Sequence, residues 1–199
     1  MNRRTMVAMI TGAAALAACT TSAPKVGPDG RPLPTVYKIR PGDTDEIYFR
    51  LLDSINTLRQ AKGAAPLAYV AELNAAASTH ARDMSIQNRP WHFGSDGSSP
   101  LDRVRRVGYR GTLLGELISE TYETELETLS AWMAQPDTRA VILDSSANQI
   151  GFSWWQEENG KIWWVVVTGS SSGAALNNYA PSATASVEPS LRPASVPLR

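Results

Sequence analysis

One histidine and one glutamate in the middle of the chain are the residues best suited to chemistry. His92 lies in a turn-rich loop, Trp91-His92-Phe93-Gly94, and Glu116 enters an apolar segment, Gly115-Glu116-Leu117-Ile118. The 24 positions that separate them allow the chain to turn back and bring both side chains to one cleft. An imidazole beside a carboxylate can bind a metal ion or transfer a proton. The same spacing also fits a solvated histidine and a surface glutamate, so the surrounding elements must decide.

Other side chains offer few routes to catalysis. His80, the other of the two histidines, lies beside an apolar stripe, where it fits either a hydrogen-bonded packing role or a ligand role. No serine lies on a predicted strand-to-helix elbow, and the one cysteine, Cys19, lies near the N-terminus. An enzyme built on His92 and Glu116 would therefore need an activated water.

Size and charge narrow the classes of function. The 199 residues, 43% of them hydrophobic, are typical of one globular domain with appendages. The 19 lysines and arginines balance the 19 aspartates and glutamates, so no nucleic-acid partner is expected. Four arginines are predicted to face water, either as a solvated face or as a surface for phosphates or cell-wall carboxylates. They are Arg103, Arg105, Arg106 and Arg110.

The first 19 residues have the pattern of an export signal. Two arginines precede an alanine-rich apolar run over 5–18, which is too short to span a bilayer. The run ends in Leu16-Ala17-Ala18-Cys19, which resembles the lipobox of bacterial lipoproteins. Residues 1–19 are therefore predicted to be a lipoprotein signal peptide, with acyl chains such as palmitate on Cys19 as the membrane anchor. Thr20, in place of the aspartate of many inner-membrane lipoproteins, favours the outer membrane, facing the periplasm.

Composition divides the rest of the chain into three parts. Residues 20–43 are rich in Ser, Thr, Pro and Gly, which predicts a flexible tether. Residues 44–170 contain the periodic apolar patterns and form the predicted domain. Residues 171–199 have Ala, Ser, Pro and Asn in irregular order, which predicts a disordered tail.

Helical spacing of apolar residues predicts four helices in the domain. The first begins at Asp43 or Thr44 and ends at Gly63, the second ends near Asn88, and Pro136 stops the last. Thr121 is the predicted cap of the last helix. The buried stripes, in order, are Ile47, Leu51, Ile55 and Leu58; Val70, Leu73, Ala77, Ala81 and Met84; Leu101, Val104 and Val107; and Tyr122, Leu126, Leu129 and Met133.

The remaining apolar runs predict a sheet. Residues 149–156 and 161–168 form a predicted β-hairpin with a two-residue turn at Asn159-Gly160, and residues 112–119 form a strand that carries Glu116. The two-residue turn would pair Trp154 with Val165 and Phe152 with Val167. Large apolar groups on both faces of the hairpin require helices on both sides of the sheet.

The order and spacing of these motifs resemble bacterial CAP domains, the superfamily of cysteine-rich secretory, antigen 5 and pathogenesis-related proteins. The resemblance covers residues 47–169 and depends on the motifs taken together. They are Ile55-Asn56-Thr57-Leu58-Arg59, Pro66-Leu67, Ala75 to Met84, His92, Gly97, Asp102-Arg103, Gly108-Tyr109, Gly115-Glu116, Trp132, Arg139 to Leu143 and Ile150-Gly151.

The resemblance implies an α/β fold: a three-layer α-β-α sandwich with a central, mainly antiparallel sheet. It also implies a cleft in which two histidines and two acidic residues hold a divalent metal. His92 and Glu116 match the family's first histidine and the glutamate of its Gly-Glu-Asn motif. The asparagine of that motif is Leu117 in this chain, and the family's second histidine falls on Thr138.

Loss of the second histidine argues against a tight metal site. A threonine hydroxyl is a poor neutral ligand for zinc, although the carboxylate of Asp137 lies one residue away. We therefore expect no cofactor, with at most weak binding of a divalent metal such as zinc at His92 and Glu116. No residue is assigned as catalytic, and His92, Glu116, Thr138 and Asp137 are the predicted cleft residues.

Two functions remain open. The favoured one is a non-enzymatic binding module of the cell envelope, which holds a lipid, peptidoglycan or envelope protein and is anchored to the membrane through Cys19. The alternative is a hydrolase of peptide or cell-wall substrates, with Glu116 as base and His92 as its partner.

Overall fold

The computed structural model describes residues 36–171. After a short 3-10 turn at Pro41–Asp43, the helices are α1 Thr44–Ala61, α2 Ala71–Gln87, α3 Pro100–Arg106, α4 Glu125–Ala134 and α5 Pro136–Leu143. The strands are β1 Ala68–Tyr69, β2 Thr112–Thr121, β3 Gln149–Gln156 and β4 Ile162–Ser170. Within residues 36–171, no helix is both long and apolar enough to cross a membrane. The predicted signal peptide with Cys19, residues 20–35 of the tether and residues 172–199 of the tail lie outside the described residues.

The four strands form one sheet in the order β1-β3-β4-β2. Only the two-residue β1 runs parallel to its neighbour, and the β3–β4 and β4–β2 pairs are antiparallel. Helix α2 packs on one face of the sheet, together with α3, and α1, α4 and α5 pack on the other. The predicted three-layer α-β-α sandwich with a mainly antiparallel sheet is therefore confirmed.

Strand β4 explains why the sheet needs two helical layers. Its residues 162–169 are all buried, because successive side chains point to opposite faces and both faces are covered. Ile162, Trp164 and Val166 pack against α1, α4 and α5. Trp163, Val165 and Val167 pack against α2. One apolar strand thus supplies the core on both sides.

Glycine and asparagine bring α2 unusually close to the sheet. A Cβ atom on Gly151 would lie 2.1 Å from the backbone carbon of Leu73, so only glycine fits this position in β3. The side chain of Asn74 accepts a hydrogen bond from the backbone N–H of Phe152 at 3.2 Å. This contact between α2 and β3 fixes the distance of α2, the helix that carries His80, from the sheet.

The register of the hairpin differs by one residue from the prediction. Trp154 pairs with Trp164 and Phe152 with Val166, so the predicted pairs with Val165 and Val167 are wrong. The reason is the turn: Gly160 adopts φ +92° and donates its N–H to the carbonyl of Glu157, and Glu157 N–H donates to the carbonyl of Lys161. This is a three-residue connection with a glycine bulge, not a two-residue turn. A slip of one residue moves every side chain of β4 to the opposite face.

Two predicted helix faces also need correction. In α3 Leu101 is exposed, whereas Arg103, predicted to face water, is buried. Helix α4 begins after Thr124, whose side chain accepts from the N–H of Glu127, and not at Thr121. The later start leaves Tyr122 outside the helix, and the buried residues of α4 become Glu125, Thr128, Leu129 and Trp132.

The ordered contacts begin before the predicted domain boundary at residue 44. Tyr37 and Ile39, both assigned to the tether, pack against the core. The side chain of Gln156 accepts from the N–H of Ile39 at 3.0 Å and donates to the carbonyl of Tyr37 at 2.7 Å. Residues 37–39 are therefore fastened along the end of β3.

Candidate functional site

Glu116 lies at the centre of a buried polar cluster on the α2 and α3 side of the sheet. It is a residue of β2 that pairs with Val167, and it shares its face with Ile118, which packs in the α2 core. A register irregularity between Leu113 and Gly115 precedes it and sets which face its side chain takes. Only 4% of the Glu116 side chain is exposed, so its carboxylate needs partners from the protein.

Arg103 provides the main partner of this carboxylate. One guanidinium nitrogen, Nη2, donates to both oxygens of Glu116, at 2.8 Å to Oε1 and 2.7 Å to Oε2. The same group donates to the carbonyls of His92 at 2.9 Å and Ser98 at 3.1 Å. Arg103 is as buried as Glu116. The guanidinium group of Arg103 therefore binds both the carboxylate of Glu116 on β2 and the loop that follows α2.

His92 approaches the carboxylate from the solvent side. Its Nδ1 lies 2.9 Å from Oε1 of Glu116, and 49% of its side chain is exposed. Because an ionised carboxylate only accepts hydrogen bonds, Nδ1 must carry the hydrogen. In a neutral ring, Nε2 then keeps its lone pair and has no partner within residues 36–171.

His80 lies beneath the same carboxylate and is fully buried in α2. Its Nε2 lies 2.9 Å from the carbonyl of Trp91 and 3.7 Å from Oε1 of Glu116. Since a carbonyl only accepts, Nε2 carries the hydrogen and the ring is tethered to the loop before His92. Of the two roles open to His80, the hydrogen-bonded packing role fits these contacts.

The charges of the cluster are set by burial and by neighbours. Burial alone would raise the pKa of Glu116, but the hydrogen bond from His92 and the nearby positive charge of Arg103 outweigh it and lower that pKa. Burial lowers the pKa of His80, more than the attraction of Glu116 raises it. At neutral pH, Glu116 is therefore ionised and His80 neutral.

Thr138 and Asp137 contribute nothing to this cluster. The hydroxyl of Thr138 donates to the carbonyl of Trp132 and, at 3.3 Å, to that of Gln135, both at the junction of α4 and α5. Asp137 is exposed in the first turn of α5 and has no hydrogen bond or ion pair within residues 36–171. Of the four predicted cleft residues, only His92 and Glu116 are in contact.

The donor set does not fit the metal that the family resemblance implies. Both oxygens of Glu116 already accept from Arg103, whose positive charge would repel a cation. Zinc sites need about four nitrogen, sulfur or oxygen ligands, and Thr138 offers a hydroxyl that is engaged with the backbone. Across residues 36–171, no three His, Cys, Asp or Glu side chains are grouped so that they could hold a metal ion.

The residue that sequence reasoning missed is Arg103. A signal for it was present, because positions 100, 103, 104 and 107 share one face of a helix and Val104 is buried. Arg103 was instead assigned to the exposed cluster with Arg105, Arg106 and Arg110, because runs of charged residues usually face water. Arg106, three residues later, behaves as predicted and pairs with Asp96 at the surface.

Comparison with known proteins decides the family. A model described as CAP, the cysteine-rich secretory protein family, matches residues 52–168. The chain belongs to the CAP family. A comparison with curated protein sequences finds no match.

Solved structures share the CAP fold. An outer surface protein from Borrelia burgdorferi is 20% identical with a TM-score of 0.60, over 68% of this chain and 98% of that one. An extracellular protein with an SCP domain from Bacillus anthracis is 18% identical with a TM-score of 0.56, over 66% of this chain and 44% of that one. A cysteine-rich secretory protein from Staphylococcus aureus is 14% identical with a TM-score of 0.53, over 72% of this chain and 44% of that one. The CAP domain of this chain thus spans less than half of the last two proteins.

Proposed function

We propose that this CAP-domain protein is a lipid-anchored, non-enzymatic binding module of the bacterial cell envelope. Its partner would be a lipid, peptidoglycan or an envelope protein. The observation that carries the proposal is the contact of Arg103 with both carboxylate oxygens of Glu116. A carboxylate that is ionised, buried and bound by a guanidinium is a poor general base, since proton abstraction needs an accessible lone pair and a pKa nearer neutrality.

The same contact gives Glu116 a structural role. It joins β2 to α3 and, through the two loop carbonyls, to residues 92–98. A loop held in this way presents His92 and Phe93 to solvent on a rigid support, which suits recognition because ordering a loop on binding costs affinity. We propose this loop and the neighbouring surface of α2 as the recognition face.

Anchorage through Cys19 is the second part of the proposal. It is supported by the lipobox-like Leu16-Ala17-Ala18-Cys19 and by the lack of any other cysteine. We propose the outer membrane, with the domain in the periplasm, because Thr20 follows the cysteine. Two of the similar structures are of an outer surface protein and an extracellular protein, which agrees with a location outside the cytoplasm.

The anchorage test compares wild type with Cys19→Ala. We expect wild type in the membrane fraction with an acyl mass on residue 19, and the variant as an uncleaved precursor or as released protein. Wild type found free of the membrane and without an acyl mass would contradict the anchor.

The metal-site test is a zinc titration of wild type and Thr138→His by calorimetry. We expect wild type to bind zinc more weakly than micromolar, because Glu116 is bound by Arg103 and the second imidazole is missing. Thr138→His should bind no more tightly than wild type, because Thr138 lies in α5, which packs on the opposite face of the sheet from α2 and the Glu116 cluster. Sub-micromolar zinc affinity in wild type would overturn the non-enzymatic proposal.

One observation favours the hydrolase as a second candidate. The hydrogen bond from His92 Nδ1 to Glu116 leaves Nε2 free to act as a base, the arrangement of an oriented histidine. Turnover of peptidoglycan fragments that is lost in His92→Gln would support this function. Absence of turnover in wild type, with ligand binding retained in His92→Gln, would support the binding module.

A further inference from the structure

The exposed side of α2 carries a run of arginine and apolar side chains that the Glu116 cluster does not use. We call this run the α2 ribbon. It starts on β3, follows the C-terminal half of α2 and ends in the loop around His92. Its members are Trp155, Arg82, Ile86, Arg89, Trp91 and Phe93.

Direct contacts join the members of the α2 ribbon. The guanidinium carbon of Arg82 lies 5.2 Å from the ring centre of Trp155, and that of Arg89 lies 3.8 Å from the ring centre of Trp91. The ring centres of Trp91 and Phe93 are 5.6 Å apart. Ile86 follows Arg82 by one helical turn and therefore lies on the same face of α2.

The α2 ribbon is both basic and apolar. Within residues 36–171, neither Arg82 nor Arg89 has a carboxylate partner, although the net charge of the chain is zero. Ile86 is 72% exposed, and Phe93 and Trp155 are also exposed. Large apolar groups interleaved with unpaired cations mark a surface that meets an anionic and apolar partner.

The position of the α2 ribbon agrees with a membrane partner. Its β3 end adjoins the β3–β4 turn, where Ser85 donates to Glu157 at 2.9 Å and Lys161 donates to Asn88 at 2.7 Å. Val36, the first described residue, packs over Gly160 in the same turn. The chain that leads back to Cys19 therefore leaves the domain at the end where the α2 ribbon lies. The 17 residues from Cys19 to Val36 span at most about 60 Å, so a membrane anchor at Cys19 leaves this face within reach of the bilayer.

The ring faces argue for a lipid rather than a glycan. Sugars bind tryptophan by stacking on the ring face, and a guanidinium group lies over Trp155 and another over Trp91, where each would compete with a sugar. A branched aliphatic side chain, Ile86, is the most exposed apolar member and suits acyl chains. Stacked guanidinium groups keep their N–H edges free for phosphate oxygens.

We propose that the α2 ribbon docks the CAP domain on an anionic phospholipid surface. Arg82 and Arg89 bind lipid phosphates, and Ile86, Phe93 and the edge of Trp155 enter the interfacial layer. The proposal rests on the anchored function proposed above and deepens it, and it places the loop with His92 at the lipid surface.

The test measures sedimentation of the mature chain, residues 19–199 with Cys19→Ser, on vesicles of phosphatidylcholine with and without phosphatidylglycerol. Without an acyl chain, binding reports the domain surface alone. We expect binding only to the anionic vesicles, weakening as salt rises. Arg82→Gln/Arg89→Gln should lower the partition constant by about 25-fold, at roughly fivefold for each arginine near an anionic surface. Ile86→Ser should lower it by about fivefold.

The matched control is Arg105→Gln/Arg110→Gln, which removes the same charge from two exposed arginines outside the α2 ribbon. We expect less than about a twofold change, because these arginines are not members of the α2 ribbon. Equal losses for the two double variants would overturn the proposal, because general charge would then explain binding. It is also overturned if the Cys19→Ser chain without further substitutions fails to bind anionic vesicles at low salt, or sediments with purified peptidoglycan but not with vesicles. None of these outcomes depends on whether Cys19 is acylated, so failure of the α2 ribbon and failure of the anchor are distinguishable.

Discussion

The ion pair between Arg103 and Glu116 makes a quantitative prediction about stability. Both side chains are 4% exposed and their contacts are 2.7–2.8 Å long. Two unit charges about 4 Å apart interact by about 4 kcal/mol at an effective dielectric constant of about 20. Removing one partner leaves the other charge buried, which typically destabilises a protein by about 3–5 kcal/mol. We expect losses of this size for Arg103→Met and for Glu116→Leu.

The double variant separates the ion pair from the other contacts of Arg103. Replacing both charges by apolar groups of similar volume is often nearly neutral. The carbonyls of His92 and Ser98 would still lose a donor, at about 1 kcal/mol each. We therefore expect Arg103→Met/Glu116→Leu to lose only about 2 kcal/mol, far less than the sum of the two single variants.

The assay is urea unfolding followed by tryptophan fluorescence, analysed as a double-mutant cycle. Arg106→Met is the control on the same helix, because its pair with Asp96 is solvent-exposed and should contribute little to stability. If the loss of stability in the double variant equals the sum of the losses in the two single variants, the idea that Arg103 neutralises Glu116 is refuted.

Acid titration gives an independent check of the same pair. The pKa of Glu116 is lowered in the folded protein, so its contribution is fully present above its ordinary pKa of 4.5. It is lost as pH falls through the lower folded value. Below about pH 4.5, the stability of Arg103→Met/Glu116→Leu should therefore fall less steeply than that of wild type.

Three further substitutions and one deletion test the packing around the site. Trp164→Ala should lose about 3–5 kcal/mol in urea unfolding, because Trp164 is fully buried and stacks on Phe152 at 5.4 Å, whereas deletion of residues 175–199 should change the melting temperature little. Gly151→Ala should destabilise by about 1–3 kcal/mol or more, since its Cβ would meet the backbone of α2, and Gly42→Ala, with no atom within 4 Å, is the matched control. The pKa of His80 is lowered from 6.5, so in wild type the unfolded chain takes up a proton that the folded chain does not, and stability falls as pH drops below 6.5. His80→Gln should remove this contribution and flatten the stability profile as pH falls below 6.5. An equal loss for both glycine variants, a harmless Trp164→Ala, or an unchanged slope in His80→Gln would each contradict the packing described here.

The layers of the fold were predictable because long apolar patterns specify them. Helices α1 and α2 follow their stripes closely, and the run at β4 required cover on both faces. The apolar patterns did not predict the register of the hairpin between β3 and β4. Asn159-Gly160 favours a two-residue turn, yet Gly160 closes a three-residue connection that starts at Glu157. Both choices keep large apolar groups on both faces of β4, so hydrophobicity could not discriminate between them.

The spacing of His92 and Glu116 allowed their contact to be predicted, but it could not predict the kind of site that the pair forms. Two residues 24 positions apart can meet in a metal site, in a proton-transfer pair or in a structural ion pair. Arg103 decides between these kinds of site. Arginine side chains are usually exposed, and Arg103 is buried only because of tertiary packing, which the sequence does not show. Short helices of about two turns give too few positions for a stripe to reveal such an exception.

The position of Arg103 links the fold of this CAP domain to the kind of function it supports. A cleft that holds a metal needs carboxylate oxygens free of internal donors, and a general base needs one accessible lone pair. Here one guanidinium satisfies both oxygens of Glu116 and also fastens the loop that carries His92. The carboxylate of Glu116 therefore helps to hold this loop rigid, and the loop, which forms one end of the α2 ribbon, faces solvent. Rigid presentation of exposed side chains is what a binding surface requires, and this is the physical reason why we propose recognition rather than catalysis.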